Sequence, residues 1–152
     1  ADLFEQANWI VTPSVRTKDS ALERVSQLWR GVGSTVLSMS VAWHDEVFAA
    51  VSHLPHLVAY ALMDAVLSMN RGEERLRFAA GGLRDFTRVA ASHPTMWRDI
   101  FLMNRDQLLR VLTTYQDALA RLEAAIRDGD GEALTARLAR ARVAREEMTH
   151  RP

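Results

Sequence analysis

HDEVFAAVSHLPHLVAYALMDAVLSM, residues 44–69, decides the fold class. Apolar residues recur through it at helical spacing, no glycine interrupts it, and it is far longer than a strand. The pattern predicts one long helix over residues 42–69, kinked at Pro55, where proline removes a backbone donor. Within this apolar run lie His44, Ser52, His53 and His56. Polar groups in such a place are costly unless something hydrogen-bonds them. The stretch therefore carries more than a packing surface.

Toward the C-terminus no strand signal appears. Residues 72–92, GEERLRFAAGGLRDFTRVAAS, predict two short helices separated by Gly81-Gly82. HPTMW (93–97) restarts a helix expected to run to Asp128. In it Leu108, Leu112, Tyr115, Leu119, Leu122 and Ile126 alternate steps of four and three, a heptad-like seam. About 33 residues of helix span on the order of 50 Å, more than so short a chain covers by itself, so a second copy is the expected partner. Gly129 closes that helix, Asp130 caps the next, and 132–150 completes the chain.

Toward the N-terminus the pattern changes. WIVTP (9–13) and STVLSMS (34–40) are short β-branched runs, the second preceded by the turn GVG (31–33). Between them SALERVSQLWRG (20–31) spaces Leu22, Val25, Leu28 and Trp29 as a helix, with Lys18, Asp19 and Ser20 as a cap region. This is strand–helix–strand, about one βαβ unit. Such a unit does not cover its own strands, and the chain begins ADLFEQAN without a methionine, so the expectation is a fragment. Residues 1–40 are then the end of a larger α/β domain and 41–152 a helical domain, making the chain mainly α.

Composition narrows the function. The 152 residues are 48% apolar and 25% charged with zero formal net charge, which gives no electrostatic footprint for nucleic acid or an acidic lipid surface. Lys18 is the only lysine; arginine supplies the rest of the positive charge and grips carboxylates bidentately. Without cysteine, disulfides and thiolate metal sites are excluded. Apolar runs such as LVAYALM (57–63) end at Asp64, short of the roughly 20 residues of a membrane span, so a soluble, cytoplasmic chain is expected.

Two segments carry chemistry. Around Pro55 the histidines admit a metal site, core histidines bonded to freed backbone, or a ligand pocket at the kink. A metal site needs three or four ligands and no HExxH is present, although His44-Asp45 keeps an HD-type metal phosphohydrolase as an alternative. The reading adopted is the pocket, with no metal. In AAGGLRDFTRVAASHPTMWRDI (79–100), Gly81-Gly82 permits close approach, while Arg84 and Arg88 share a helix face near Asp85, Ser92 and Trp97. A solvated charged face is the alternative, but arginine beside bare backbone N–H groups suits a small carboxylate. RLARARVAR (137–145) is matched by Glu132, Glu146 and Glu147 without interleaved aromatics, so it reads as a solvated face. No GxGxxG, P-loop or nucleophile–base pair is present.

HDEVFAAVSHLPH (44–56) followed by GGLRDFTRVAASHPTMWRDI (81–100) resembles prephenate dehydrogenase, and VTPS (11–14) resembles that family's ILTPT element. The resemblance covers essentially the whole chain. It implies an NAD-dependent (or NADP-dependent) oxidative decarboxylation of prephenate to 4-hydroxyphenylpyruvate in tyrosine biosynthesis. It also implies a Rossmann domain ending within 1–40 and an all-helical dimerisation domain, 6-phosphogluconate dehydrogenase C-terminal-like, over 41–152. By this similarity Ser52, His56, Gly81, Arg88 and Trp97 bind substrate, and His44, Asp45, Arg84 and Asp85 are framework polar groups. The family often has lysine at position 84. Its catalytic histidine and glycine fingerprint are expected upstream, so this chain alone is expected to be an inactive homodimer. An arogenate or dual-specificity cyclohexadienyl dehydrogenase is the near alternative. A non-catalytic helical dimer binding a small carboxylate such as tyrosine is the distant one.

Overall fold

The computed structural model describes residues 2–149. Strand β1 (Asn8–Val11), helix α1 (Asp19–Gly31) and strand β2 (Thr35–Ser38) form the predicted strand–helix–strand unit. The strands pair in parallel, Asn8 opposite Thr35 through to Val11 opposite Ser38. Parallel strands need a crossover, and α1 supplies it. Trp29 of α1 stacks on Trp9 with centroids 3.3 Å apart and takes Phe4 edge-on at 5.3 Å. Gly33, with φ +88°, turns the chain from α1 into β2, and its carbonyl accepts from the Gln6 N–H at 2.9 Å. α1 begins after Lys18 as expected, but no side chain caps it.

The opening stretch forms one 28-residue helical run, Val41–Ser68, of three parts: α2 (Val41–Phe48), a π-helical turn (Ala49–His53) and α3 (Leu54–Ser68). The Ser40 hydroxyl caps α2 by accepting the Trp43 N–H at 3.2 Å. Pro55 does not act alone. Just before it the Leu54 N–H reaches back five residues to the Ala49 carbonyl, so the helix widens into a π turn and Pro55 sits in the first turn of α3. The run is longer than its apolar segments suggest, because neither Asp64 nor the SHLPH insertion ends it. With a mean hydropathy of 1.3 over its most apolar window it is, by length and composition, the one helix among the described residues able to cross a membrane. Three of its polar side chains, His44, His56 and Tyr60, are hydrogen-bonded within the chain.

After α3 the backbone reverses at Arg71, in the left-handed region at φ 59°, and enters α4 (Gly72–Leu76). Gly72 is obligatory there: a Cβ would lie 2.5 Å from the carbonyl oxygens of both Val66 and Leu67. α5 (Gly81–Thr87) follows and tightens into a 3-10 turn (Arg88–Ala91). Gly81 and Gly82 thus begin a helix rather than separate two. α6 (Pro94–Met103) and α7 (Arg105–Arg127) replace the single predicted helix, which breaks at Asn104 (φ −109°, ψ 32°). α8 (Gly131–Thr149) completes the described chain.

The chain divides into two compact units, Ala1–Leu108 and Leu109–Pro152. In the first, α3 packs against α4, α5 and the 3-10 turn, and Ala49, Ala59, Trp97 and Leu108 are buried. In the second, Gly129 (φ +66°) closes α7, with the Asp130 N–H donating to the Ala125 carbonyl at 2.9 Å. Asp130 caps α8 as expected, its carboxylate accepting the Ala133 N–H at 2.9 Å. Large apolar side chains remain uncovered in both units, among them Phe78 (86% exposed), Met103 (89%) and Ile126 (66%).

Candidate functional site

The π turn sets the geometry around SHLPH. It places Ser52 one turn before His56, whose Nδ1 lies 2.9 Å from the Ser52 carbonyl. A carbonyl only accepts, so His56 Nδ1 carries the proton and Nε2 faces outward from that bond. The His56 ring lies flat on Trp97 of α6, centroids 3.6 Å apart and planes 20° apart. Trp97 is 7% exposed, and its buried Nε1 has no hydrogen-bond partner among the described residues. A buried donor left unpaired is rare in a folded protein and is an opening for an acceptor brought from outside.

On the same side, Tyr60 of α3 donates its hydroxyl to the Ser92 carbonyl at 2.7 Å and ties the 3-10 turn to α3. Tyr60, Pro94, Trp97, Arg98, Phe101 and Leu102 line an open cleft of about 360 Å³, almost entirely apolar. Arg88 opens the 3-10 turn that packs on α3. It is exposed, and its guanidinium makes no hydrogen bond or ion pair with the described residues, as is true of Arg84 and Asp85. Gly81 starts α5, and a Cβ on it would stand 3.9 Å from an Asp85 carboxylate oxygen. The half-buried Ser52 hydroxyl is likewise unbonded.

A second histidine also meets Trp97. His53 meets Trp97 nearly at right angles, centroids 6.3 Å apart, and its Nδ1 lies 3.3 Å from Asn104 Nδ2. The same Nδ2 donates to the Asp45 carbonyl at 2.8 Å. Burial, chiefly, holds the His53 pKa below its ordinary 6.5; neighbouring His44 and His56 push the same way and Asp45 opposes them. His44 Nδ1 donates to the Asp45 carboxylate at 3.0 Å and its ring stacks on Phe48. His44 and Asp45 are therefore joined to each other, and Asp45 to the end of α6 through its backbone. Arg84 and Asp85 meet no partner in α2 or α6. Asn104 escaped notice because the residues around it, FLMNRDQLL, read as unbroken helix; an asparagine before Arg105 and Asp106 is the one local sign of a break. No group of three or more metal-ligating side chains gathers among the described residues.

A family model for the prephenate dehydrogenase dimerization domain matches residues 40–140. The chain belongs to the prephenate dehydrogenase family. It is 39% identical over 136 residues to the cyclohexadienyl dehydrogenase of Zymomonas mobilis, covering 88% of this chain and 46% of that one. Among solved structures, prephenate dehydrogenase from Aquifex aeolicus in complex with hydroxyphenyl propionate and NAD+ superposes with a TM-score of 0.90 at 38% identity, over 97% of this chain and 52% of that one. Synechocystis arogenate dehydrogenase gives 0.84 at 25% identity, over 97% and 54%. The chain thus spans about half the length of the relatives it matches. The mainly helical fold preceded by a two-stranded parallel sheet is the one expected of a prephenate dehydrogenase.

Proposed function

We propose that this chain supplies the substrate-binding and dimerisation part of a prephenate dehydrogenase, oxidatively decarboxylating prephenate to 4-hydroxyphenylpyruvate in tyrosine biosynthesis. The observation that carries the reading is the His56–Trp97 stack, a flat wall whose histidine is locked in one tautomer by the Ser52 carbonyl. A six-membered ring carrying carboxylates needs a flat apolar surface, a directed polar group and a cation, and Trp97, His56 and the unpaired Arg88 offer one each. Ser52 and Gly81 border the same pocket in this proposal. Residues 1–40 are assigned to the end of a nucleotide-binding domain and 41–152 to the helical domain, with support from a family match that begins at residue 40.

The connection between β1 and α1 does not suit the pyrophosphate of a dinucleotide. The connection from β1 to α1, residues 12–18, contains no glycine, holds Pro13, and closes on itself through Ser14 and Thr17. NAD or NADP, held mainly by the rest of the whole enzyme, would supply the hydride acceptor for the oxidative decarboxylation. This chain's residues orient the acid and exclude water around it. On its own the 152-residue chain is expected to bind the acid without turning it over, in the cytoplasm and as a homodimer.

The test is a chimera in which residues 1–152 replace the matching half of the Zymomonas mobilis enzyme. The expected result is prephenate-dependent NADH formation at 340 nm. A folded chimera that binds NAD but oxidises no cyclohexadienyl acid would overturn the assignment. Acceptance of arogenate is a second reading, favoured by similarity to cyclohexadienyl and arogenate dehydrogenases; activity on arogenate exceeding that on prephenate would establish it.

A further inference from the structure

The Trp97 indole has no hydrogen bond among the described residues to fix it. Three rings contact it: His56 stacked at 3.6 Å, Phe101 tilted at 5.4 Å and His53 near-perpendicular at 6.3 Å. His56 is anchored within its own helix, through Ser52. His53 is the contact anchored across the fold, by a side chain 51 residues away.

We propose that Asn104 is a positioning residue of the substrate pocket: its amide bridges the Asp45 carbonyl and His53 Nδ1, and so holds the His53–Trp97–His56 ring cluster in its binding orientation. The inference rests on the assignment of His56 and Trp97 to the pocket. The Asp45 carbonyl accepts and cannot donate, which identifies the Asn104 atom 2.8 Å away as nitrogen. That nitrogen's second hydrogen points to His53 Nδ1 at 3.3 Å, so Nδ1 presents a lone pair and the proton sits on Nε2. His53 is thereby selected as a neutral acceptor. A protonated ring would set N–H against N–H at Asn104. His44 of α2 and His56 of α3 disfavour that charge and Asp45 favours it, while Trp97 of α6 and Asn104 at its end, which contact the ring, are neutral. Asn104 can reach both partners because it leaves helical geometry between α6 and α7. The break in the long helix and the anchoring of the ring cluster are one feature.

The experiment is long-range proton–nitrogen NMR of the imidazoles in the 152-residue chain, with calorimetric titration of hydroxyphenylpropionate. Wild-type His53 is expected to show bare Nδ1 and protonated Nε2 at pH 7.5, with a titration midpoint below 6.5. Asn104→Asp replaces the donor by an acceptor and should raise that midpoint by about one pH unit and move the Trp97 indole N–H resonance. Asn104→Leu should weaken hydroxyphenylpropionate binding about tenfold, the scale of one lost hydrogen-bonded support. A protonated Nδ1 on wild-type His53, an unmoved midpoint in Asn104→Asp, or wild-type affinity in Asn104→Leu would each overturn the proposal. The tautomer is read on the wild type, so a misfolded variant does not shelter it. Absence of hydroxyphenylpropionate binding by the wild type would instead strike the pocket assignment, while the His53 spectra separately decide the hold of Asn104 on the ring.

Discussion

At the scale of single residues, the site is a set of groups whose partners are either fixed or missing. His56 is fixed by a backbone carbonyl, whereas the Arg88 guanidinium has no partner among the described residues, unlike Arg71, paired with Glu74, and Arg98, paired with Asp99. A charge-assisted hydrogen bond contributes about 1.5–3 kcal/mol, so Arg88→Leu is expected to weaken hydroxyphenylpropionate binding about 10- to 100-fold by calorimetry. The helical circular dichroism should not change, because the side chain is exposed. Arg88→Lys should recover only part of the loss, since a point charge does not reproduce a two-pronged grip. His53 gives a pH dependence. Its folded-state pKa lies below 6.5, so between the two values the unfolded chain binds more protons. Stability is then greatest above pH 6.5 and falls as pH drops through the folded-state value. Thermal melts at pH 7.5 and 5 should show this difference, and His53→Gln should reduce it.

At the scale of elements, turns decide where helices start and stop. The 3.6-residue period marks the helical segments but not the breaks at the π turn and at Asn104, while the cap at Asp130 is plain in GDGEAL because the residues that make it are three apart. The π turn is less legible: Pro55 announces a disturbance, but whether the helix kinks or widens depends on which carbonyl the Leu54 N–H can reach. Gly72 is the sharper case. Nothing local distinguishes it from Gly82, yet a Cβ at 72 would strike two backbone carbonyls and one at 82 meets nothing within 4 Å. Gly72→Ala is therefore expected to cost about 3 kcal/mol in urea denaturation, the upper end for overpacking. Gly82→Ala should raise stability by about 0.5–1 kcal/mol through the unfolded chain's entropy.

At the scale of the whole molecule, the uncovered apolar side chains point to a second copy. The seam read from the sequence is only partly covered in a single chain: Leu108 is buried, but Leu119 and Ile126 are exposed. In the window of Val41–Ser68 with membrane-like hydropathy, only 6% is buried. Apolar surface on this scale is ordinarily covered by a partner. The chain is expected to sediment at about twice its 17.1 kDa mass. Leu119→Arg combined with Ile126→Arg should shift it toward the monomer; an unchanged dimer mass would remove this seam from the interface. Helical class and the strand–helix–strand start followed from the sequence alone, because periodicity is local, whereas His56, Arg88 and Trp97 were singled out there through the family resemblance of short motifs. The pairing of His56 with Trp97, and of Asn104 with both Asp45 and His53, was decided only in three dimensions. Those partners lie about 40 to 60 residues apart, and hydrogen bonds and ring stacking over that separation leave no periodic trace in the chain.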